Sequence, residues 1–323
     1  MITQFRLSVV APLHNEEANI AELLRRAKVV LDQIAGGPHE LVLVDDGSRD
    51  GTLELLRAAA HDDSRITVIS LSRNFGHQAA LTAALDHVTG DAAVIMDGDL
   101  QDPPECIPQL LERFHAGYDV VYAQRVKRKE PFYLRWCYAL FYRLAAQVAE
   151  VELPLDAGDF GLMSRRVLDH LRQLREHHRY LRGLRSWVGF RQTGVSVERG
   201  ERNAGTSNYT AWKLFKLASD GLLAFSVVPI RAAALLGGVA IALAALFALY
   251  NVVARLATFQ VPRGFTALTV LITFLSGVNL VFLGIIGEYV GRIYEEVKAR
   301  PIYVVSELIS SSLPVARAAG QSS

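Results

Sequence analysis

Two uncharged apolar stretches in the last third of the chain constrain its fold more than any other feature. Ala232 to Ala254 and Phe265 to Gly287 each run about 23 residues without an Asp, Glu, Lys or Arg. A helix of about 20 apolar residues spans a hydrocarbon core of roughly 30 Å. A helix apolar all round can also be the buried helix of a soluble protein, but soluble helices seldom stay uncharged that long. The short linker, 255–264, predicts a transmembrane hairpin that returns both chain ends to one side of a bilayer. Lys213, Lys216 and Arg231 precede the first stretch, Arg292, Lys298 and Arg300 follow the second, and only Arg255 and Arg263 lie between. Basic residues accumulate on the cytoplasmic side. The expected arrangement is multi-pass, with both termini and the large preceding domain in the cytoplasm.

The rest of the composition narrows the class. With 323 residues and 51% hydrophobic content, the chain can bury a sizeable core. A net charge of +1 gives no global basic field, so nucleic acid is not an expected partner. Two cysteines, Cys106 and Cys137, offer neither metal-ligand spacing nor a disulfide framework, which fits a reducing compartment. The first apolar run, Leu7 to Leu13, is too short for a signal peptide and reads as a strand.

Residues 1–230 alternate strand and helix patterns. Leu7–Ala11, Glu40–Val44, Thr67–Leu71, Ala92–Met96 and Asp119–Ala123 are predicted strands, with helical stretches near 17–34, 51–61, 76–88 and 104–116. This order predicts an α/β domain with a Rossmann-like, mostly parallel sheet and helices on both faces. Ligands of such sheets bind beyond the carboxyl ends of the strands. Polar clusters stand at four successive ends: Pro12-Leu13-His14-Asn15-Glu16-Glu17, Asp45-Asp46-Gly47-Ser48, Ser72-Arg73-Asn74-Phe75-Gly76 and Asp97-Gly98-Asp99-Leu100-Gln101-Asp102. Four in a row point to one shared ligand site.

The last cluster has two readings. Extended backbone would send Asp97 and Asp99 to the same side, where paired carboxylates suit a hard cation such as Mg²⁺ or Mn²⁺. Alternatively, the acids form a polar loop capping the helix that starts near Pro103-Pro104. Asp45 and Asp46 also divide two ways. Ionised carboxylates can accept from a nucleobase imide and a ribose hydroxyl, or they can shape the turn before Thr52. No G-x-x-x-x-G-K-[ST] or G-x-G-x-x-G motif follows these strands, which argues against a P-loop or dinucleotide-binding enzyme.

Taken together, Pro12-x-x-Asn15-Glu16-Glu17, Val44-Asp45-Asp46-Gly47-Ser48-x-Asp50-Gly51-Thr52, Asn74-Phe75-Gly76 and Asp97-x-Asp99-Leu100-Gln101-Asp102-Pro103-Pro104-Glu105 resemble family 2 glycosyltransferases of the GT-A fold. The nearest subgroup in pattern is the polyprenyl-phosphate glycosyltransferases, such as dolichyl-phosphate mannose synthase and the bacterial undecaprenyl-phosphate sugar transferases. Gly287-Glu288-Tyr289-x-Gly291-Arg292-Ile293-Tyr294-Glu295-Glu296-Val297-Lys298-x-Arg300-Pro301 resembles the two-span bacterial members.

The resemblance implies inverting, metal-dependent transfer of a hexose from a nucleotide sugar, UDP-glucose first, to undecaprenyl phosphate at the cytoplasmic membrane. The lipid-linked sugar would then serve cell-envelope glycosylation. It assigns Asp97, Asp99 and Gln101 to the metal, Mg²⁺ or Mn²⁺. Pro12, His14, Asn15, Glu16, Asp45, Asp46, Gly76, Asp97, Gly98 and Arg202 fall to the nucleotide sugar. His14 stands where relatives often carry Tyr, Gly98 where they often carry Ala, and Asn208 where a Lys or Arg is usual. Arg125 and Arg135 resemble the arginines that hold the acceptor phosphate. Asp99 and Asp159 are the implied catalytic acids. A phosphate acceptor is largely dianionic at neutral pH and is already a nucleophile, so an organising role for Asp159, such as holding an arginine, is preferred over that of a base.

The expected architecture is a GT-A domain over 1–230, a hairpin over 231–288 with spans near 232–254 and 265–287, and a cytoplasmic tail over 289–323. Aromatic and basic residues near 131–150 and 212–228 read as amphipathic helices at the lipid headgroups. Gly284, Gly287 and Gly291 suit close helix approach, so a homo-oligomer is an expected state. Two alternatives are weaker. A processive polysaccharide synthase would need more spans and a Gln-x-x-Arg-Trp motif. A catalytically silent nucleotide-sugar scaffold would need a broken acidic motif.

Overall fold

The computed structural model describes residues 5–125, 157–174, 176–177, 179–197 and 264–310, with helical positions at 236–239, 242–243, 245–247, 249 and 253. They fall into two units. One draws on 1–146, 151–209 and 301–323, the other on 147–150 and 210–300.

In the first unit, strands β1 (Leu7–Leu13), β2 (Glu40–Asp45), β3 (Ile66–Leu71) and β4 (Ala92–Ile95) alternate with helices α1 (Glu17–Gln33), α2 (Thr52–Asp62) and α3 (His77–His87). All seven residues of β1 are buried, as are all but the first of β2. Parallel strands covered on both faces need such unbroken apolar runs. A 3₁₀ turn at Pro104–Cys106 leads into α4 (Ile107–His115) and β5 (Val120–Arg125). Then come β6 (Ala157–Ser164), α5 (Arg165–Gln173), α6 (Leu181–Trp187) and β7 (Gln192–Val197). Far along the chain, β8 (Val305–Ser310) completes an eight-stranded sheet ordered β7-β5-β6-β4-β1-β2-β3-β8. Among the described strands, only β6 and β8 run antiparallel to their neighbours. The expected α/β, mostly parallel sheet is therefore the one found.

Strand β8 departs from the expected tail. Residues 305–310 pair with β3, Ser72 N–H donates to the Val304 carbonyl, and the Arg57–Glu307 ion pair closes at 2.6 Å. The short alternation in Val305-Ser306-Glu307-Leu308-Ile309-Ser310 is too weak a strand signal to be read without its partner edge.

The chain leaves β1 toward β2 and β3 on one side, then crosses to β4 on the other. That reversal opens a crevice at the carboxyl ends of β1 and β4. Helix α3 packs on β1 and β2, with Ala79 to Leu85 all buried. Its alanines allow close seating on the sheet, which fixes the helix N-terminus beside the crevice.

The second unit contains α7 (Phe265–Val297), a single helix of 33 residues. At 1.5 Å per residue it is about 50 Å long. Its segment Phe274–Val297 is long and apolar enough to cross a membrane, and among the described residues it is the one helix that is. Leu280, Leu283 and Val290 on this segment are exposed. The helix thus runs ten residues past the predicted end of the second span, by subtraction of Gly287 from Val297. The expected headgroup helices near 131–150 and 212–228 lie outside the described residues, as does most of the first expected span.

Candidate active site

The first two strand-end loops are laced together by side chains bonding backbone. Asn15, in the left-handed region at φ 55°, accepts from Arg49 N–H through its Oδ1, while its own N–H donates to Ser48 Oγ. Glu16 N–H donates to Thr52 Oγ1, Glu17 N–H to Asp50, and Gly51 N–H to Glu17. The His14 ring lies 2.9 Å through Nδ1 from the Asp46 carbonyl and 3.1 Å through Nε2 from the Asn15 amide. These partners fit Nδ1 as the donor and Nε2 as the acceptor.

The paired acids that follow β2 are both buried. Asp45 accepts from Ser48 N–H at 3.2 Å. Asp46 accepts from Phe75 N–H at 2.7 Å and Gly76 N–H at 2.9 Å. Asp46 therefore fixes the third loop. Gly47 makes that approach possible: at φ 64°, a Cβ there would lie 2.5 Å from the Arg73 carbonyl carbon. Pro12 is buried in β1, in register with Val44.

The acidic motif leaves β4 beside the same crevice. Asp99 Oδ1 accepts from Gln101 N–H at 3.1 Å, closing a tight turn in which Leu100 takes φ 58°. A Cβ on Gly98 would run into Leu13 Cδ2, so the exchange for Ala has a packing consequence. Asp97 is pushed upward from the usual carboxylate range. Burial is the main cause, His77 opposes it, and the charges of Asp159, Asp102 and Asp99 add to it.

Asp159, on β6, faces this motif. Arg182 of α6 donates to both of its oxygens, Nε to Oδ1 at 2.7 Å and Nη2 to Oδ2 at 2.8 Å. Burial pulls Asp159 up, but the Arg182 fork and His77 outweigh it and hold the carboxyl well below the usual range. Such a carboxylate is a poor proton acceptor. His77, the first residue of α3, places Nε2 3.8 Å from Asp97 Oδ1 and 3.8 Å from Asp159 Oδ2. Burial lowers its pKa, but the two carboxylates raise it further, so the net direction is up. One turn along α6, Arg185 is sealed in the core, 5.1 Å over the Tyr122 ring, with Nε and Nη2 making no hydrogen bond. Burial pushes its guanidinium down to about 10.

The structure thus gathers Asp97 and Asp99 with Asp159, and gathers Pro12, His14, Asn15, Glu16, Asp45, Asp46 and Gly76 around the β1 and β2 ends. Gln101 contributes its backbone to the Asp99 turn. Arg125 ends β5 in register with Val197. Its side chain, together with Arg135 and Arg202, lies outside the described residues. Two participants escaped the sequence reading. His77 follows directly on Asn74-Phe75-Gly76 and was one residue from detection. Arg182 is one of many basic residues between 165 and 191, and nothing local singles it out.

As to a cation, no cluster of three or more His, Cys, Asp or Glu suited to a metal occurs among the described residues. Asp97 and Asp99, which interact electrostatically, are nevertheless hard oxygen donors of the kind that fit Mg²⁺ or Mn²⁺ when phosphate oxygens and water complete the shell. A cation there would relieve the upward shift of Asp97 among like charges.

Residues 8–172 match Glycosyl transferase family 2. The chain is a family 2 glycosyltransferase. It is 43% identical over 308 residues to an uncharacterized glycosyltransferase, YkcC, of Bacillus subtilis, covering 95% of both chains. It is 37% identical over 303 residues to the SfII prophage-derived bactoprenol glucosyl transferase of Shigella flexneri, covering 94% of this chain and 98% of that one. Among solved structures, it is similar to a mannosyltransferase of Pyrobaculum calidifontis in complex with GDP-Man and Mn²⁺, at 21% identity and a TM-score of 0.46, covering 87% and 88% of the two chains. The α/β, mostly parallel sheet is the fold in which this family 2 domain is built.

Proposed function

We propose that this enzyme transfers glucose from UDP-glucose to undecaprenyl phosphate at the cytoplasmic face of a membrane, with inversion and with a divalent cation. The observation that carries the reading is the meeting of Asp97 with the Asp159–Arg182 pair across His77, which sets a donor-side acid beside a fixed guanidinium. The near full-length likeness to a bactoprenol glucosyl transferase supports both the sugar and the lipid.

In this reading Asp45 and the β1–α1 loop line the nucleoside pocket, and Asp46 shapes it by holding Phe75 and Gly76. Asp97, Asp99 and Gln101 hold the cation, which offsets charge developing on the leaving diphosphate. An oxygen of the lipid phosphate attacks the anomeric carbon as its bond to UDP breaks. No proton need be removed, which agrees with Asp159 held strongly ionised by Arg182. Asp159 then organises the Arg182 guanidinium for the acceptor, with Arg125 and Arg135 as further contacts to the lipid phosphate and Arg202 as a contact to the nucleotide sugar.

Helix α7 anchors the enzyme, paired with 232–254 as a hairpin. In support of that pairing, a Cβ on Gly237 would lie 3.9 Å from Phe282. Self-association through the glycine-bearing face of α7 completes the reading.

The test is to incubate membranes carrying the enzyme with undecaprenyl phosphate, Mg²⁺ and a panel of labelled nucleotide sugars. We expect a glucosyl lipid from UDP-glucose, dependent on Mg²⁺ or Mn²⁺. Absence of any glycolipid, where a characterised relative yields one, contradicts the reading.

A further inference from the structure

The first turn of α3 touches both halves of the reaction centre. His77 stands between Asp97, which follows β4, and Asp159, on β6, at 3.8 Å from each. Gln78, the next residue, accepts from Leu181 N–H at 3.0 Å and so holds the start of α6, directly before Arg182. Behind this turn, Ala79 to Leu85 are buried. Ahead of it, Asp46 pins Phe75 and Gly76. The His77 backbone is thus fixed from both sides, and the ring is left to choose between two carboxylates.

We infer that His77 is a positioning residue that couples donor binding to acceptor binding. The physical basis is one N–H with two claimants. At 3.8 Å the ring makes a charge contact with both carboxylates and a hydrogen bond with neither. Nε2 carries a single hydrogen, so it can close on Asp97 or on Asp159, not on both. When the donor side engages Asp97, the N–H is left to Asp159. It approaches Oδ2, the oxygen that also accepts Nη2 of Arg182. Sharing that oxygen loosens one tooth of the fork and offers an Arg182 N–H to an incoming phosphate. The His77 ring is the side chain that stands 3.8 Å from both carboxylates.

This inference rests on the proposed lipid-phosphate acceptor, and its test separates the two. The dissociation constant of farnesyl phosphate is measured on the detergent-solubilised full chain, with and without Mn²⁺ plus UDP. We expect the wild-type protein to bind it about fivefold or more tightly with Mn²⁺–UDP present. Linkage requires Mn²⁺, followed by the paramagnetic resonance of the free ion, to bind tighter by the same factor when farnesyl phosphate is present. In His77→Ala the ratio falls to about one while both ligands still bind and the circular dichroism is unchanged. His77→Gln, which keeps an N–H at similar reach, retains part of the ratio. A ratio of one in the wild-type protein, or a ratio that survives intact in His77→Ala, overturns the coupling. Failure of the wild-type protein to bind farnesyl phosphate in either state overturns the acceptor assignment, and the coupling with it.

Discussion

The two ends of the strand-end crevice spend their acids differently. At the β1 and β2 ends, Asp45, Asp46, Glu17 and Asp50 accept from backbone N–H groups, and the loops they join become one rigid wall. At the β4 and β6 ends, Asp97 and Asp159 face charged or chargeable side chains. Backbone donors carry no net charge and cannot leave, so they build shape. Side-chain charges respond to what binds, so they build reactivity. Within this one cluster, burial drives Asp97 up while Arg182 and His77 drive Asp159 down.

The largest effect we expect is at the reactive end. Asp99→Asn should lower glycolipid formation by about 10³-fold or more, as the loss of a principal electrostatic contact to the leaving group. Its circular dichroism should stay unchanged, because an Asn Oδ1 can still accept from Gln101 N–H. Substantial activity in that variant removes Asp99 from the cation site.

On the wall, Asp46→Ala strips acceptors from two partly buried N–H groups. A loss of about 2 kcal/mol in denaturant unfolding is expected. A rise in the KM for the nucleotide sugar, with kcat nearly kept, would accompany it. A fall in kcat alone would mean that Asp46 belongs to the reactive end. Gly98→Ala sits where the two ends meet. Leu13 is almost fully buried and must shift to admit the methyl group, so a cost of about 1 kcal/mol in the same unfolding assay is expected. A variant with unchanged stability would show that Leu13 yields freely.

The same division explains what the sequence made legible. The wall is local chemistry: each acid lies within a few residues of a turn, and runs such as Leu41-Val42-Leu43-Val44 announce buried strands. The first five strands were therefore readable to within a few residues. The reactive end depends on long-range placement. Asp159 meets Arg182 across 23 positions and His77 across 82 positions, by subtraction of residue numbers. Only the antiparallel insertion of β6 beside β4 brings them together, and no periodicity foretells it. The 3.8 Å position of His77 was hidden for the same reason. Strand β8 was hidden because its short pattern acquires meaning only against the edge of β3.

The claim that two neighbouring carboxylates of the reactive end bear opposite electrostatic loads is tested most directly by thermal unfolding of Asp97→Asn and Asp159→Asn in one buffer free of divalent cations. Asp97 has a raised pKa in the folded protein, so at neutral pH its charge opposes folding, and removing that charge should leave the midpoint at or above that of the wild-type enzyme. Asp159 has a lowered pKa, so its charge favours folding at neutral pH. Its loss leaves Arg182 without a counter-charge and should lower the midpoint by several degrees, the effect of about 2 kcal/mol. Equal losses in both variants, or an unchanged midpoint in Asp159→Asn, would contradict the account.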